Sequence, residues 1–303
     1  MNGAADELLT VRDWLRWSIS RFSEAGLFYG HGTDNARDEA VWLILATLHL
    51  PRDTLEPWLD AHLTKSERAA LLNKIQQRVL QRVPTAYLVQ EAWLGPFRFY
   101  VDQRVIVPRS YFAELLETGF APWIEDPQAV VAALDLCTGS GCLAILIANT
   151  FPNARVDAID ISADALAVAR RNIADYALEA RVQAIESDLF AAVEGRCYDL
   201  IISNPPYVTT AAMEALPAEY RHEPALALAA GADGLDLVRR ILSEARRHLN
   251  PGGILAVEVG HNQDLVEAAF PDLPAVWLDT EQAGGKVFLL TREDLPAVGS
   301  NIA

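Results

Sequence analysis

Asn204, Pro205, Pro206 and Tyr207 follow directly on the aliphatic run Leu200-Ile201-Ile202, inside the segment DLIISNPPYVTT. Each proline fixes its own φ and holds the residue before it extended, so Asn204 and Pro205 leave a strand in one rigid geometry. Neither proline has an N–H, and the stretch therefore offers acceptors without backbone donors. The Asn204 side-chain oxygen and the Pro205 carbonyl can both face one planar –NH2, with Tyr207 against the plane behind it. That suits a nitrogen whose lone pair is delocalised. Two accepted hydrogen bonds aim it at an electrophile and offset the positive charge that develops on it. A proline turn that merely closes a strand is the plain alternative, and the neighbouring motifs count against it.

The first neighbour is DLCTGSGCLA, from Asp135 to Ala144. Gly139 and Gly141 let the backbone turn tightly from strand to helix and let a ligand approach the amides. Asp160 ends the next strand, 19 residues after Gly141, where a carboxylate can accept from both ribose hydroxyls of a nucleoside. Gly139-Ser140-Gly141 with Ala144 also satisfies the loose nicotinamide pattern, so on this turn alone a dehydrogenase competes. A dehydrogenase has no use for NPPY after its fourth strand. Asp188 ends the third strand, and with Leu189-Phe190 it could reach and flank an adenine. Asn204 ends the fourth. Consecutive strand ends of this kind outline one cleft along the carboxyl edge of a parallel sheet. S-adenosylmethionine fits such a cleft, because its sulfonium carries the positive charge and no metal is required. Cys137, Cys142 and Cys197 form too sparse a set for a disulfide framework, lack zinc-ligand spacing, and are expected to be small buried side chains.

The elements that must hold these groups can be read from the hydrophobic pattern. VVAALDL, RVDAID, RVQAIESD, YDLIIS and GILAVEV alternate with helical segments, among them one opened by Ser162 as N-cap and one over Leu235–Leu249. This predicts an α/β fold with a doubly wound, mainly parallel sheet. A helix over Asn262–Phe270 precedes the closing strands PAVWLD and KVFLLT, which, joined through Gly284-Gly285, predict an antiparallel edge. Upstream, Glu7–Gly30, Asn35–Leu50 and Thr64–Arg82 read as helices, the last opened by a Thr64/Glu67 capping box. FRFYVDQRVIV, Phe97–Val107, reads as a hairpin turning at Asp102-Gln103, and a helix follows Pro108-Arg109-Ser110. The expected organisation is a helical substrate-docking domain over 1–95, a hairpin linker over 96–110 and a cofactor-binding domain over 111–303.

The 303 residues are 51% apolar and 22% charged, as in a soluble globular protein, and no apolar run reaches membrane-spanning length. MNGAADELLT lacks the basic and apolar regions of a signal peptide, so a cytoplasmic location is expected. The net charge of −16 repels phosphate backbones and attracts basic partners.

Together, DLCTGSG, DAIDIS and SDLF ahead of NPPYV resemble the N(5)-glutamine protein methyltransferases of the HemK/Prm group, and the likeness covers most of the chain. RVIVPRS, Arg104 to Ser110, is similar to the branch that modifies ribosomal protein L-three; the release-factor branch usually has proline, aspartate, threonine and glutamate after the arginine. LPAEYRHEPALALAAGADGLDLVRRIL, Leu216 to Leu242, points the same way, although its E-P-x-x-A-L part is shared by both branches. The resemblance implies a class I, seven-stranded methyltransferase sheet that uses S-adenosylmethionine and releases S-adenosylhomocysteine. It implies that Asp135, Cys137, Thr138, Gly139, Ser140 and Gly141 cradle the methionine part of the cofactor, Asp160 its ribose, and Asp188 with Leu189 its adenine. Asn204, which also borders the cofactor, would with Pro205, Pro206 and Tyr207 hold a glutamine amide. Cys137 stands where many methyltransferases have glycine, and Leu189 where release-factor enzymes can carry an aromatic ring.

The implied reaction is methyl transfer to a glutamine side-chain nitrogen in basic ribosomal protein L-three, with neither nucleic-acid nor membrane binding expected. A release-factor glutamine methyltransferase is one rival. A nucleic-acid adenine N-6 methyltransferase is another, since NPPY also suits an exocyclic amine; it predicts a basic groove and a recognition domain, and the chain offers no Lys/Arg-rich stripe. A binding-only assembly factor would not need the full set of reaction groups. Glu223 and Glu258 are candidates to support the site, while surface or capping roles are expected for His222 and His261.

Overall fold

The computed structural model describes residues 3–280 and 284–296. The N-terminal lobe is built from helices Val11–Glu24, Ala36–Thr47, Lys65–Gln81 and Thr85–Val89. Thr64 and Glu67 form the expected capping box, and Thr10 with Asp13 forms another. The second box divides the long helix expected over Glu7–Gly30. The chain makes a short turn over Ala4–Glu7, runs extended through Thr10, which bridges to His62, and restarts at Val11. Gly26, at φ +56°, closes the second helix before Gly30. Trp14, Phe22, Leu43, Ile44, Leu71 and Ile75 fill the core of this lobe.

A hairpin does join the lobe to the sheet, but earlier than expected. β1 (Ala92–Leu94) pairs with β2 (Phe97–Phe99) around Gly95-Pro96, where Gly95 adopts φ +57°. Only β2 falls within the stretch read as the hairpin. Asp102-Gln103 makes no strand reversal, because the Asp102 carboxylate turns back onto the backbone N–H and guanidinium of Arg104. The β-branched residues that suggested a strand, Val101, Val105 and Val107, are buried by an extended segment against the helical lobe.

The main sheet has strands β3 (Ala132–Leu136), β4 (Arg155–Asp160), β5 (Val182–Glu186), β6 (Tyr198–Ser203), β7 (Leu249–Glu258), β8 (Val276–Leu278) and β9 (Val287–Thr291). Their order is β5-β4-β3-β6-β7-β9-β8, parallel from β5 to β7 and antiparallel at β9 and β8. The antiparallel edge is as expected, with β9 inserted between β7 and β8. The chain winds outward from β3 to β5, then restarts at β6 on the other side of β3. A crevice therefore opens over the carboxyl ends of β3 and β6, the switch point where ligands bind in such sheets.

Period-2 burial covers both faces. Leu200 and Ile202 join the cluster under helix Cys142–Thr150, and Ile201 joins the one under helix Asp236–Glu244. All three are fully buried, and each contributes roughly 2 kcal/mol of apolar burial. The helix expected over Leu235–Leu249 is shorter, Asp236–Glu244 followed by a 3-10 turn, and β7 already begins at Leu249. Among the described residues no helix is long and apolar enough to cross a membrane.

Candidate active site

The turn after β3 is shaped from behind. Asp135 is fully buried, and its Oδ2 accepts hydrogen bonds from Thr138 Oγ1 at 2.5 Å and the Ala144 N–H at 3.0 Å. Burial pushes its carboxyl up to about 7, and its Oδ1 has no partner among the described residues. The Ser140 carbonyl accepts from Asn172 Nδ2 at 2.8 Å. Gly141, at φ +78°, sits so close to the next helix that a Cβ would lie 3.1 Å from that of Ala169. Asp135, Thr138, Ser140 and Gly141 thus build the turn, while Cys137 and Gly139 reach the wall of the cleft. Cys137 adopts φ +62°, the left-handed region that favours glycine, and burial raises its thiol so that it stays protonated. Cys142 is buried as expected; Cys197 is exposed, which corrects the expectation for that residue.

The cleft is a cavity of about 350 Å³. Asp160 lines it and is anchored by the Gly139 N–H on Oδ2 and the Ser162 N–H on Oδ1, both at 2.9 Å. Each oxygen keeps a further lone pair for a ligand, and burial raises this carboxyl above its usual range. Ser162 also caps helix Ala163–Asp175, as expected. Asp188 and Leu189 line the same cavity; Asp188 pairs with Arg240 Nη2 at 2.9 Å from the opposite wall. Phe190 does not flank the cleft. It is buried beneath the sheet, stacked on His248 with ring centroids 4.5 Å apart. Apolar edges come instead from Ile161 and Leu226, which line the cavity while 53% and 61% exposed.

Asn204 and Pro206 also line this cavity. β6 is locked to β3 by Ser203 Oγ donating to the Leu136 carbonyl at 2.9 Å, and Pro205 and Pro206 are buried. Tyr207 lies beyond Asn204. Its carbonyl accepts from Asn262 Nδ2 at 2.7 Å, and its ring packs on Gly260, where a Cβ would come within 2.7 Å of the ring. Around Tyr207 stand Glu258, Arg109, Tyr111 and Tyr220, and burial raises its phenol. Asn204 therefore stands between this cavity and a cluster of tyrosines and buried charge.

Two glutamates belong to that cluster. Arg109 grips Glu223 bidentately, at 2.5 and 2.6 Å, and the same carboxylate accepts the Val107 N–H at 2.9 Å. His31 Nε2 lies 3.6 Å away. Burial opposes ionisation of Glu223, but His31 and Arg109 outweigh it and hold the carboxyl at about 2. Arg109 also lies over the Tyr220 ring, 5.3 Å from its centre. Glu258 is pushed up to about 7 by burial. Its Oε2 accepts from Ser110 Oγ at 2.5 Å and the Tyr111 N–H at 3.1 Å, and the Asn204 side chain faces the same carboxyl.

The sequence reading did not single out Arg109, Ser110, Tyr111 or Tyr220. RVIVPRS, the Tyr111 that follows it and the loop before EPALAL carried them, but nothing local shows that they meet. His222 bonds the Gln81 carbonyl and His261 meets Lys286; neither lines the cavity. The loop that carries Glu223 is tied to the helical lobe by Glu219, which accepts from Arg78 and the Phe28 N–H, while Arg78 also pairs with Glu39.

Two family models match the chain: the Methyltransferase small domain over residues 123–219 and the PrmC N-terminal domain over residues 13–89. Whole-length relatives carry the name ribosomal protein uL3 glutamine methyltransferase. The one from Neisseria gonorrhoeae is 59% identical over 294 residues, covering 97% of this chain and 98% of the relative. That from Bordetella pertussis is 57% identical, covering 97% and 99%. That from Bradyrhizobium diazoefficiens is 51% identical, covering 95% and 92%.

Proposed function

This chain belongs to the ribosomal protein uL3 glutamine methyltransferase family, and we propose that the cavity holds the cofactor and the adjoining tyrosine cluster receives the glutamine. The enzyme transfers a methyl group from S-adenosylmethionine to the side-chain amide nitrogen of a glutamine in ribosomal protein uL3. Asn204 carries the assignment of residues, because it lines the cofactor cavity and also faces Glu258 in the tyrosine cluster beside it.

The cavity residues fit S-adenosylmethionine. Asp160 keeps one outward lone pair on each oxygen after its two backbone bonds, matching the two hydroxyls of a ribose. Asp188 and Leu189 would take the adenine edge, Ile161 and Leu226 offer apolar surface beside it, and Cys137 with Gly139 would face the methionine part. Asp135, Thr138, Ser140 and Gly141 act on the cofactor through the turn they shape. When bound, S-adenosylmethionine supplies a sulfonium-activated, electrophilic methyl group, and the reaction needs no metal.

The chain's own work is to present the nucleophile. Asn204 Oδ1 and the Pro205 carbonyl accept the two N–H bonds of the substrate amide and fix the direction of its nitrogen. As the N–C bond forms, the same two oxygens stabilise the positive charge on nitrogen. Pro206 keeps the clamp rigid, and Tyr207 supports the amide plane from its seat on Gly260. The proton leaves after the bond has formed, so a strong base is not required.

Labelled S-adenosylmethionine given to the enzyme with purified ribosomal proteins, release factors and RNA, followed by mass spectrometry, tests this. Label on a uL3 glutamine is expected; label in RNA only would overturn it. The charge of −16 favours basic free uL3 or an early assembly intermediate over RNA-covered particles. Isolated uL3 should therefore be methylated faster than finished ribosomes, and equal rates would overturn that preference.

A further inference from the structure

An asparagine amide has an accepting end and a donating end, and a half-turn exchanges them. The amide clamp works in only one of the two orientations. With Oδ1 toward the substrate, Asn204 accepts from the glutamine –NH2; flipped, two –NH2 groups face each other and the clamp is lost. Nothing within NPPY decides between them.

The neighbouring strand does. β6 and β7 run parallel with Ser203 opposite Val257, so the next residues, Asn204 and Glu258, leave the sheet side by side. Glu258 is 1% exposed, and its Oε2 is occupied by donors from Ser110 Oγ and the Tyr111 N–H. The Asn204 side chain is a further polar neighbour acting on this carboxyl. An ionised carboxylate only accepts. Asn204 must therefore offer it Nδ2, which turns Oδ1 outward. We infer that Glu258 is the positioning residue that locks the Asn204 amide with its oxygen toward the incoming glutamine nitrogen. This rests on the amide-clamp reading of Asn204, which the uL3 labelling of the wild-type enzyme tests separately.

The local geometry makes the inference testable by exchange. In Glu258→Gln the amide oxygen takes the place that Ser110 and Tyr111 occupy with their donors. The new –NH2 then faces Asn204, draws Oδ1 inward and inverts the clamp. Wild-type, Glu258→Gln, Asn204→Asp and the combined variant should be compared on purified uL3, with cofactor binding measured by calorimetry. Glu258→Gln should lower kcat about 100-fold, the scale of a misaligned reacting group, with cofactor Kd within threefold of wild-type. Asn204→Asp places two carboxylates together and should be at least as impaired.

The combined variant restores a donor against an acceptor, leaving one aspartate oxygen free for the substrate. It should recover at least tenfold over Glu258→Gln. A merely structural Glu258 predicts no such recovery. A Glu258→Gln enzyme with kcat within threefold of wild-type overturns the inference. So does a combined variant, folded and binding cofactor, that is no faster than Glu258→Gln. If Glu258→Gln alone fails to fold, the combined variant against Asn204→Asp decides: tenfold recovery supports the inference and none overturns it.

Discussion

Glu223 and Glu258 are 5% and 1% exposed, lie in the same tyrosine cluster, and are driven in opposite directions by what surrounds them. Glu223 meets a bidentate guanidinium and the His31 ring, and is held at about 2. Glu258 meets a hydroxyl, a backbone N–H and an asparagine side chain, with Arg109 acting on it only through its charge; burial wins and the carboxyl sits at about 7. A buried carboxylate with a cation in contact is a fixed strut, and this one ties the 216–224 loop to Arg109 and the helical lobe. A buried carboxyl with neutral donors is poised between states, and this one stands beside Asn204, the residue we propose orients the substrate. Burial alone separates nothing; partner chemistry does.

The largest expected effect breaks the strut. Glu223→Gln leaves Arg109 without its counter-charge, which costs on the order of 3 kcal/mol, at the low end for a buried pair because the Arg109 side chain is 28% exposed. Denaturant unfolding at pH 7 measures it, and a cost below about 1 kcal/mol would erase the contrast between the two glutamates.

Glu258→Gln should go the other way at alkaline pH. A carboxyl at about 7 in the folded chain, against about 4.3 unfolded, keeps its proton through a window in which the unfolded chain has lost it. Its stabilising contribution is present below about pH 4 and is lost as pH rises to 7. The uncharged amide removes that loss, so the stability of Glu258→Gln relative to wild-type should rise by roughly 3 kcal/mol between pH 4 and pH 8. Unfolding curves at both pH values check it; an unchanged difference would place Glu258 with Glu223 as a plain ionised group. Glu223, held at about 2, has the opposite sign: its contribution is present above its ordinary range and lost as pH falls toward 2.

Smaller again is the kinetic counterpart. Protonated Glu258 can donate to Asn204 Oδ1 and stabilise the flipped amide, so kcat at saturating cofactor should fall about tenfold from pH 8 to pH 6. The other groups facing Glu258 are Arg109 and Tyr111 from the segment after β2 and Tyr207 from the clamp; burial raises both phenols, and Arg109 stays charged through this range. Asp135, also at about 7, lies behind the cofactor turn and should act on cofactor affinity instead. A flat kcat profile between pH 6 and 8 would count against a poised Glu258.

These contrasts were only half legible in the sequence. NPPY, the Gly139–Gly141 turn and Asp160 declare themselves because their chemistry is set by neighbours in sequence: prolines fix φ, glycines permit it, and a strand end faces the cleft. The glutamates do not. Arg109 reaches Glu223 across 114 residues and Ser110 reaches Glu258 across 148, and no local pattern encodes either pairing. The same limit explains the misplaced hairpin. The valines after β2 have strand-like composition but are buried by the helical lobe rather than by a paired strand. Phe190 likewise reads as a neighbour of the cleft until His248, 58 residues on, claims its face.

The smallest expected effect asks which partner defines Glu223. His31 lies 3.6 Å from the carboxylate with its ring 4.6 Å from that of Tyr220, whereas both Arg109 nitrogens make contacts of 2.6 Å or less. Arg109 matches the carboxylate's planar fork, and an imidazole at 3.6 Å is beyond good hydrogen-bond geometry. His31→Phe keeps the ring against Tyr220 and removes only the polar contact, so it should cost less than about 1 kcal/mol in denaturant unfolding at pH 7. A loss as large as that of Glu223→Gln would make His31 the essential counter-charge. Arg109 would then be free to serve the tyrosine cluster, and the division between a fixed strut and a poised carboxyl would have to be redrawn around it.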